Sequence, residues 1–175
     1  MLSADDLSED LLYRRVPASD FDKKSQRPRP TAFTLRDHES HLSMFVASLA
    51  SPRKVLEQVI RSKELDVVNL ENKDSINDEE ERKLRRTKKW LENNLNASAV
   101  CQDYYVVEIP VKELLSFRND YGEPPFSLGE ITQDTGHIDI LGSREAFENN
   151  QDNFVNLVIT GKARVLSKDE CLANL

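Results

Sequence analysis

Apolar positions along the chain fall into short runs whose spacing changes from one segment to the next. Leu11-Leu12-Tyr13-Arg14-Arg15-Val16 reads as a strand closed by Pro17, which has no amide hydrogen to give a ladder. Thr31–Leu35, around Phe33, and Leu42–Val46 read as two further short extended pieces. Ser51-Pro52 is a helix start, a capping serine followed by proline at the first helical position. Val55, Leu56, Val59 and Ile60 then share one face of a helix expected to run to about Leu65. Asn77 or Asp78 opens a second helix to about Leu95, with Leu84, Leu91, Leu95 and Trp90 as its thin apolar stripe.

Tyr104–Ile109 is dense in β-branched and aromatic residues, the pattern of a strand buried on both faces. Pro110 begins a short helix bearing Val111, Leu114 and Leu115, and 120–125 is turn and loop. His137–Leu141 alternates between two glycines as a half-buried strand, and Ser143 caps a helix expected to reach Asn149. Phe154–Thr160 reads equally as strand or helix, while Ser167 with Glu170 forms a capping box for a C-terminal helix. A short acidic lead-in, capped by Ser3, precedes the first strand. The order of elements predicts a single α+β domain over 1–175 with a mixed or mostly antiparallel sheet. The opening strands are expected to pair with 104–109 and 137–141, and 67–98 reads as a charged helical insertion.

Charge narrows the function classes. The formal net charge is -7, which argues against nonspecific nucleic-acid binding. In the second helix Asp78 to Glu81 precede Lys83, Arg85, Arg86, Lys88 and Lys89, an order that suits the helix dipole. Glu79–Lys83 and Glu81–Arg85 are expected as pairs one turn apart, making this a salt-bridged solvent face. No run of apolar residues reaches the ~20 that a membrane span needs. The first residues carry no signal-peptide pattern and the 2 cysteines form no CxxC pair, so a cytoplasmic location is expected.

Candidate chemistry is sparse. With 5 glycines and no phosphate loop, dinucleotide fingerprint or nucleophile elbow, no catalytic residue, cofactor or metal site is assigned. Asp134-Thr135-Gly136 matches the aspartic-protease tripeptide but lacks the apolar strand before it, and reads as a turn. His38 and His41, with His137 and Asp139, are of the ligand types zinc accepts, yet the acidic 37–41 stretch reads as an exposed loop. The strongest anion-binding candidates are Arg14, Arg15, Arg27, Arg29, Ser43 and His137, because arginine donors match phosphate and carboxylate oxygens in pairs.

Leu12-Tyr13-Arg14-Arg15-Val16, Arg27-Pro28, Thr31-Ala32-Phe33 and Leu42-Ser43-Met44, with the later Val106–Ile109 and Gly136–Gly142, resemble a family of small uncharacterised bacterial proteins. The layout also has a distant likeness to ADP-ribosyltransferase-type toxins. That likeness implies Arg14 or Arg15 gripping dinucleotide phosphates, Ser43 orienting a ribose, and His137 or Asp139 near the position of the late acid. No glutamate stands where such transferases carry theirs. The expectation is therefore a non-catalytic accessory protein acting through a protein partner, with an enzyme acting on a nucleotide such as NAD as the alternative.

Overall fold

A computed structural model describes residues 6–173; Ser3 and its expected cap lie outside them. The chain folds as α+β, with a six-stranded sheet in the order β6-β7-β4-β1-β5-β8 and every pairing antiparallel. Its strands are β1 (Leu11–Pro17), β4 (Leu42–Val46), β5 (Tyr104–Pro110), β6 (Ser127–Thr132), β7 (His137–Leu141) and β8 (Arg164–Val165). A separate small hairpin joins β2 (Phe21–Asp22) to β3 (Arg27–Pro28). The helices are α1 (Pro52–Glu71), α2 (Asp78–Asn93), α3 (Ala97–Val100), α4 (Val111–Leu115), α5 (Arg144–Ile159) and α6 (Lys168–Leu172).

The sheet carries a core on each face, because successive strand residues point to opposite sides. On the first face Leu12, Val16, Leu42, Met44, Val107, Ile109, Ile138 and Ile140 pack with Phe33, Phe126, Phe147 and Phe154. On the second, Tyr13, Phe45 and Val106 meet Val55, Leu56 and Val59 of α1, Ala97 and Val100 of α3, and Cys171 of α6. β5 is indeed buried on both sides, and β1 pairs with it along its whole length, Leu11 opposite Pro110 to Pro17 opposite Tyr104.

Three local expectations are corrected. Residues 31–35 are not extended: Pro30–Phe33 is a 3-10 turn, since Pro30 presets the helical φ and the Ala32 amide donates to Arg29 O at 3.0 Å. That turn sinks Ala32 and Phe33 against α5. The helix after Ser143 does not stop at Asn149, and the ambiguous 154–160 stretch belongs to it. Phe147, Asn150, Phe154 and Leu157 fall on one buried face, and this outweighs the β-branched propensity of Val155, Val158 and Ile159. α1 also continues beyond Leu65 to Glu71. Strands β6 and β8 had no clear alternating signature, and both lie at sheet edges.

Asp134-Thr135-Gly136 is the tight turn before β7. Gly136 has φ +75 and its place for a Cβ lies 2.8 Å from Ala50 Cβ, so both backbone and space demand glycine. Lys54 Nζ donates to Asp134 O at 2.7 Å, tying the turn to α1.

Candidate functional site

Arg14 and Arg15 part company at the sheet. Arg14 shares the first face with Leu12 and Val16. Its Nε donates to Ala32 O at 3.0 Å and its Nη1 to Ser43 O at 2.9 Å. The β1–β4 ladder ends at Tyr13 opposite Phe45, so the guanidinium continues the junction where main-chain pairing stops. Among the described residues no carboxylate forms an ion pair with it, and burial pulls its pKa down to about 10, which leaves it charged at neutral pH. Arg14 is a structural bolt, with Nε and Nη1 both spent on main-chain carbonyls of the fold.

Arg15 lies on the second face. Its Nη1 donates to Val55 O at 3.2 Å, and its guanidinium carbon stands 5.0 Å from the centre of the Phe45 ring. His137 meets that ring in a T-shaped contact, the ring centres 5.6 Å apart and the planes at 81°. Ser43 and Asp139 are register partners on the same face, so Arg15, Ser43, His137 and Asp139 share one side of the sheet. Arg27 and Arg29 lie apart, exposed on the β2–β3 hairpin and just after it. The six anion-binding candidates thus separate into three locations.

Around Asp139 the geometry is more specific. Its Oδ1 is 3.1 Å from His41 Nε2 and 3.7 Å from His137 Nδ1, and the other nitrogen of His41 meets Ser40 Oγ at 3.2 Å. That Oδ1 is buried without a hydrogen bond of good geometry. Gly129, at the β6 irregularity, lies close to Asp139, and a Cβ there would stand 3.0 Å from its main-chain O and 3.1 Å from its Cβ. His38 is exposed and makes none of these contacts. Among the described residues no group of three or more His, Cys, Asp or Glu is placed to hold a metal ion.

Burial lowers the His137 pKa, with Asp139 opposing that shift. The folded state therefore takes up this proton at lower pH than the unfolded chain, and stability contributed by the neutral ring is lost as pH falls below about 6.5. Urea denaturation at about pH 7.5 and about pH 5.5 should show lower stability at the acidic value, with a smaller difference in His137→Asn. Cys101 and Cys171 are unpaired and buried, and burial pushes the Cys171 thiol up to about 11, the reverse of an activated nucleophile.

The hairpin of α1 and α2 is the other conspicuous surface. Val55, Leu56 and Val59 anchor the start of α1 in the core, but beyond Ile60 only Leu70 of this helix is buried. α2 packs on α1 and makes no comparable contact with any other element. The join is largely polar: Lys83–Asp66 at 3.7 Å, Lys88–Glu71 at 2.6 Å, a Lys73–Glu80 pair, and Lys63 over the Trp90 ring at 5.7 Å. The expected Glu79–Lys83 pair does not form, because Lys83 turns across to Asp66 of α1, and among the described residues Glu81 and Arg85 form no ion pair either. Leu65, Val68 and Leu95 are exposed at 60%, 49% and 78%. Ile60, Leu91 and Leu95 line a shallow groove of about 420 Å³ rimmed by Glu64, Lys88 and Glu92.

Comparison with family models, curated proteins and solved structures finds no match for the chain. No helix among the described residues is long and apolar enough to cross a membrane. The larger groove of about 490 Å³, between the 118–125 loop and α5, is lined by polar residues such as Asn119, Asn149 and Asn153, and not by Arg15, Ser43 or His137. Exposed Leu65 and Val68 were the surface that the apolar pattern passed over. A helix expected to end at Leu65 gives them no reason to be unusual.

Proposed function

We propose that the chain is a non-catalytic binding protein that engages a protein partner through the α1–α2 hairpin. The observation that carries this reading is the outer half of the hairpin, where beyond Ile60 only Leu70 of α1 is buried and α2 packs chiefly on α1. Leu65 and Val68 stay exposed there, with Leu95 exposed just past α2 at the hairpin's base. Apolar side chains left on a charged arm are the kind of anchors that protein interfaces bury. The groove of Ile60, Leu91 and Leu95 adds a place for an apolar side chain of the partner. Residues 67–98 in this reading are an arm added to the α+β body.

The alternative, an enzyme acting on a nucleotide, has weaker support. Arg14 and Arg15 both spend donors on main-chain carbonyls. Ser43 and His137 lie with Arg15 on one sheet face, away from Arg27 and Arg29.

The test is affinity capture with the wild-type chain and a Leu65→Asp, Leu95→Asp variant. Both positions are exposed, so the variant should unfold within about 0.5 kcal/mol of wild type. A partner recovered stoichiometrically by wild type should be lost by the variant. Equal recovery by both would contradict the proposal.

A further inference from the structure

The helix α2 presents a ridge that its neighbours leave unpaired. Arg82, Arg85, Arg86 and Lys89 recur at the i, i+3, i+4, i+7 spacing of one helical face, and all four are exposed. The remaining lysines of the helix are turned inward, Lys83 to Asp66 and Lys88 to Glu71. Among the described residues none of the four ridge cations forms an ion pair. They concentrate positive charge over roughly 10 Å of helix axis, at 1.5 Å per residue, in a chain whose net charge is -7.

Charge around the ridge selects the occupant. Asp78 and Glu79 stand before it and Glu92 after it, so the basic stretch is short and closed at both ends by carboxylates. A nucleic acid, negative along its whole length, would meet those carboxylates as well as the ridge, and its binding calls for a longer basic footprint. A second copy lying antiparallel and centred on the ridge would set Arg82 against Lys89 and Arg85 against Arg86, which repel. A short acidic segment of another protein meets neither obstacle. We infer that the ridge is the docking surface for an acidic helical segment of the partner, with carboxylates at i, i+3, i+4 and i+7. The inference rests on the hairpin reading and adds the chemistry of what it binds.

Fluorescence anisotropy tests it with two labelled probes: an alanine-rich helical peptide carrying Glu at that spacing, and a single-stranded RNA of equal charge. Wild type should bind the peptide more tightly than the RNA, and more weakly as salt rises. Reversing Arg82, Arg85, Arg86 and Lys89 to Glu should weaken peptide binding at least about tenfold, the scale of 1.4 kcal/mol. Reversing Lys23, Lys24 and Arg27, on the separate β2–β3 hairpin, should leave it unchanged. If the fourfold reversal loses helix by circular dichroism, Arg85→Gln, Arg86→Gln reads the same ridge and should weaken binding severalfold.

No peptide binding, equal loss in the β2–β3 control, or tighter binding to RNA would each overturn the inference. Absent peptide binding combined with partner loss in Leu65→Asp, Leu95→Asp overturns the acidic partner alone and leaves the hairpin reading standing. Peptide binding with unaffected partner capture does the reverse.

Discussion

Phe154→Ala is expected to lower stability by about 3–5 kcal/mol, the range for truncating a fully buried phenylalanine. Phe154 is 0% exposed and touches three rings from two other parts of the chain. It stacks on Phe33 at 4.8 Å, meets Phe117 edge-on at 5.1 Å and leans on Phe126 at 5.5 Å. The cavity left by truncation would loosen α5 from the 30–33 turn and the 117–126 loop together, so little collapse is available to offset it. The melting temperature should fall by roughly 6–20 °C, at about 2–4 °C per kcal/mol for a chain of this size. Leu141→Ala, at a position 41% exposed, should change stability far less in the same denaturation experiment. A similar loss at both positions would show that the aromatic cluster is not the centre of the first core.

Arg14→Met should cost about 2–4 kcal/mol, because hydrogen bonds from a charged donor are worth more than neutral ones and their buried acceptors would be stranded. The guanidinium reaches Ala32 O and Ser43 O, on two segments that are not otherwise paired at that point. Arg14→Lys should recover little, since one ammonium on a flexible stem cannot present the two divergent donors of the fork. Arg15→Met should cost less, about 1–2 kcal/mol, for one bond to Val55 O and one cation–ring contact. Equal costs for the two arginines would contradict the division of labour across the sheet.

Those adjacent arginines show what the sequence could and could not convey. Strand parity alone places Arg14 and Arg15 on opposite faces, and the alternation of Leu12, Tyr13 and Val16 tells which neighbours each should have. Nothing in the local pattern shows that the 30–33 turn will bring the Ala32 carbonyl beneath Arg14, because that contact depends on Phe33 docking against α5. The capping signals at Ser51, Asn77, Ser143 and Ser167 were legible because each acts within one helical turn, and each side chain accepts the expected amide. The end of α5 was not, since Val155, Val158 and Ile159 favour a strand until the phenylalanine face is buried. The charged helix misled for a related reason. Pairs one turn apart within α2 compete with partners on α1, and Asp66 and Glu71 win Lys83 and Lys88. His41 and Asp139 carried their chemistry openly, but only the β4–β7 register brings the carboxylate between the two rings.

The central claim is that the hairpin, and not the sheet face around Asp139, is where the chain meets its partner. Hydrogen–deuterium exchange of the chain alone and with the captured partner tests this most directly, because it reads both surfaces in one experiment. The account predicts slower exchange in residues 61–71 of α1 and 78–93 of α2, with β4 and β7 unchanged. Protection confined to Ser43, His137 and their neighbours, with the hairpin exchanging as before, would contradict it.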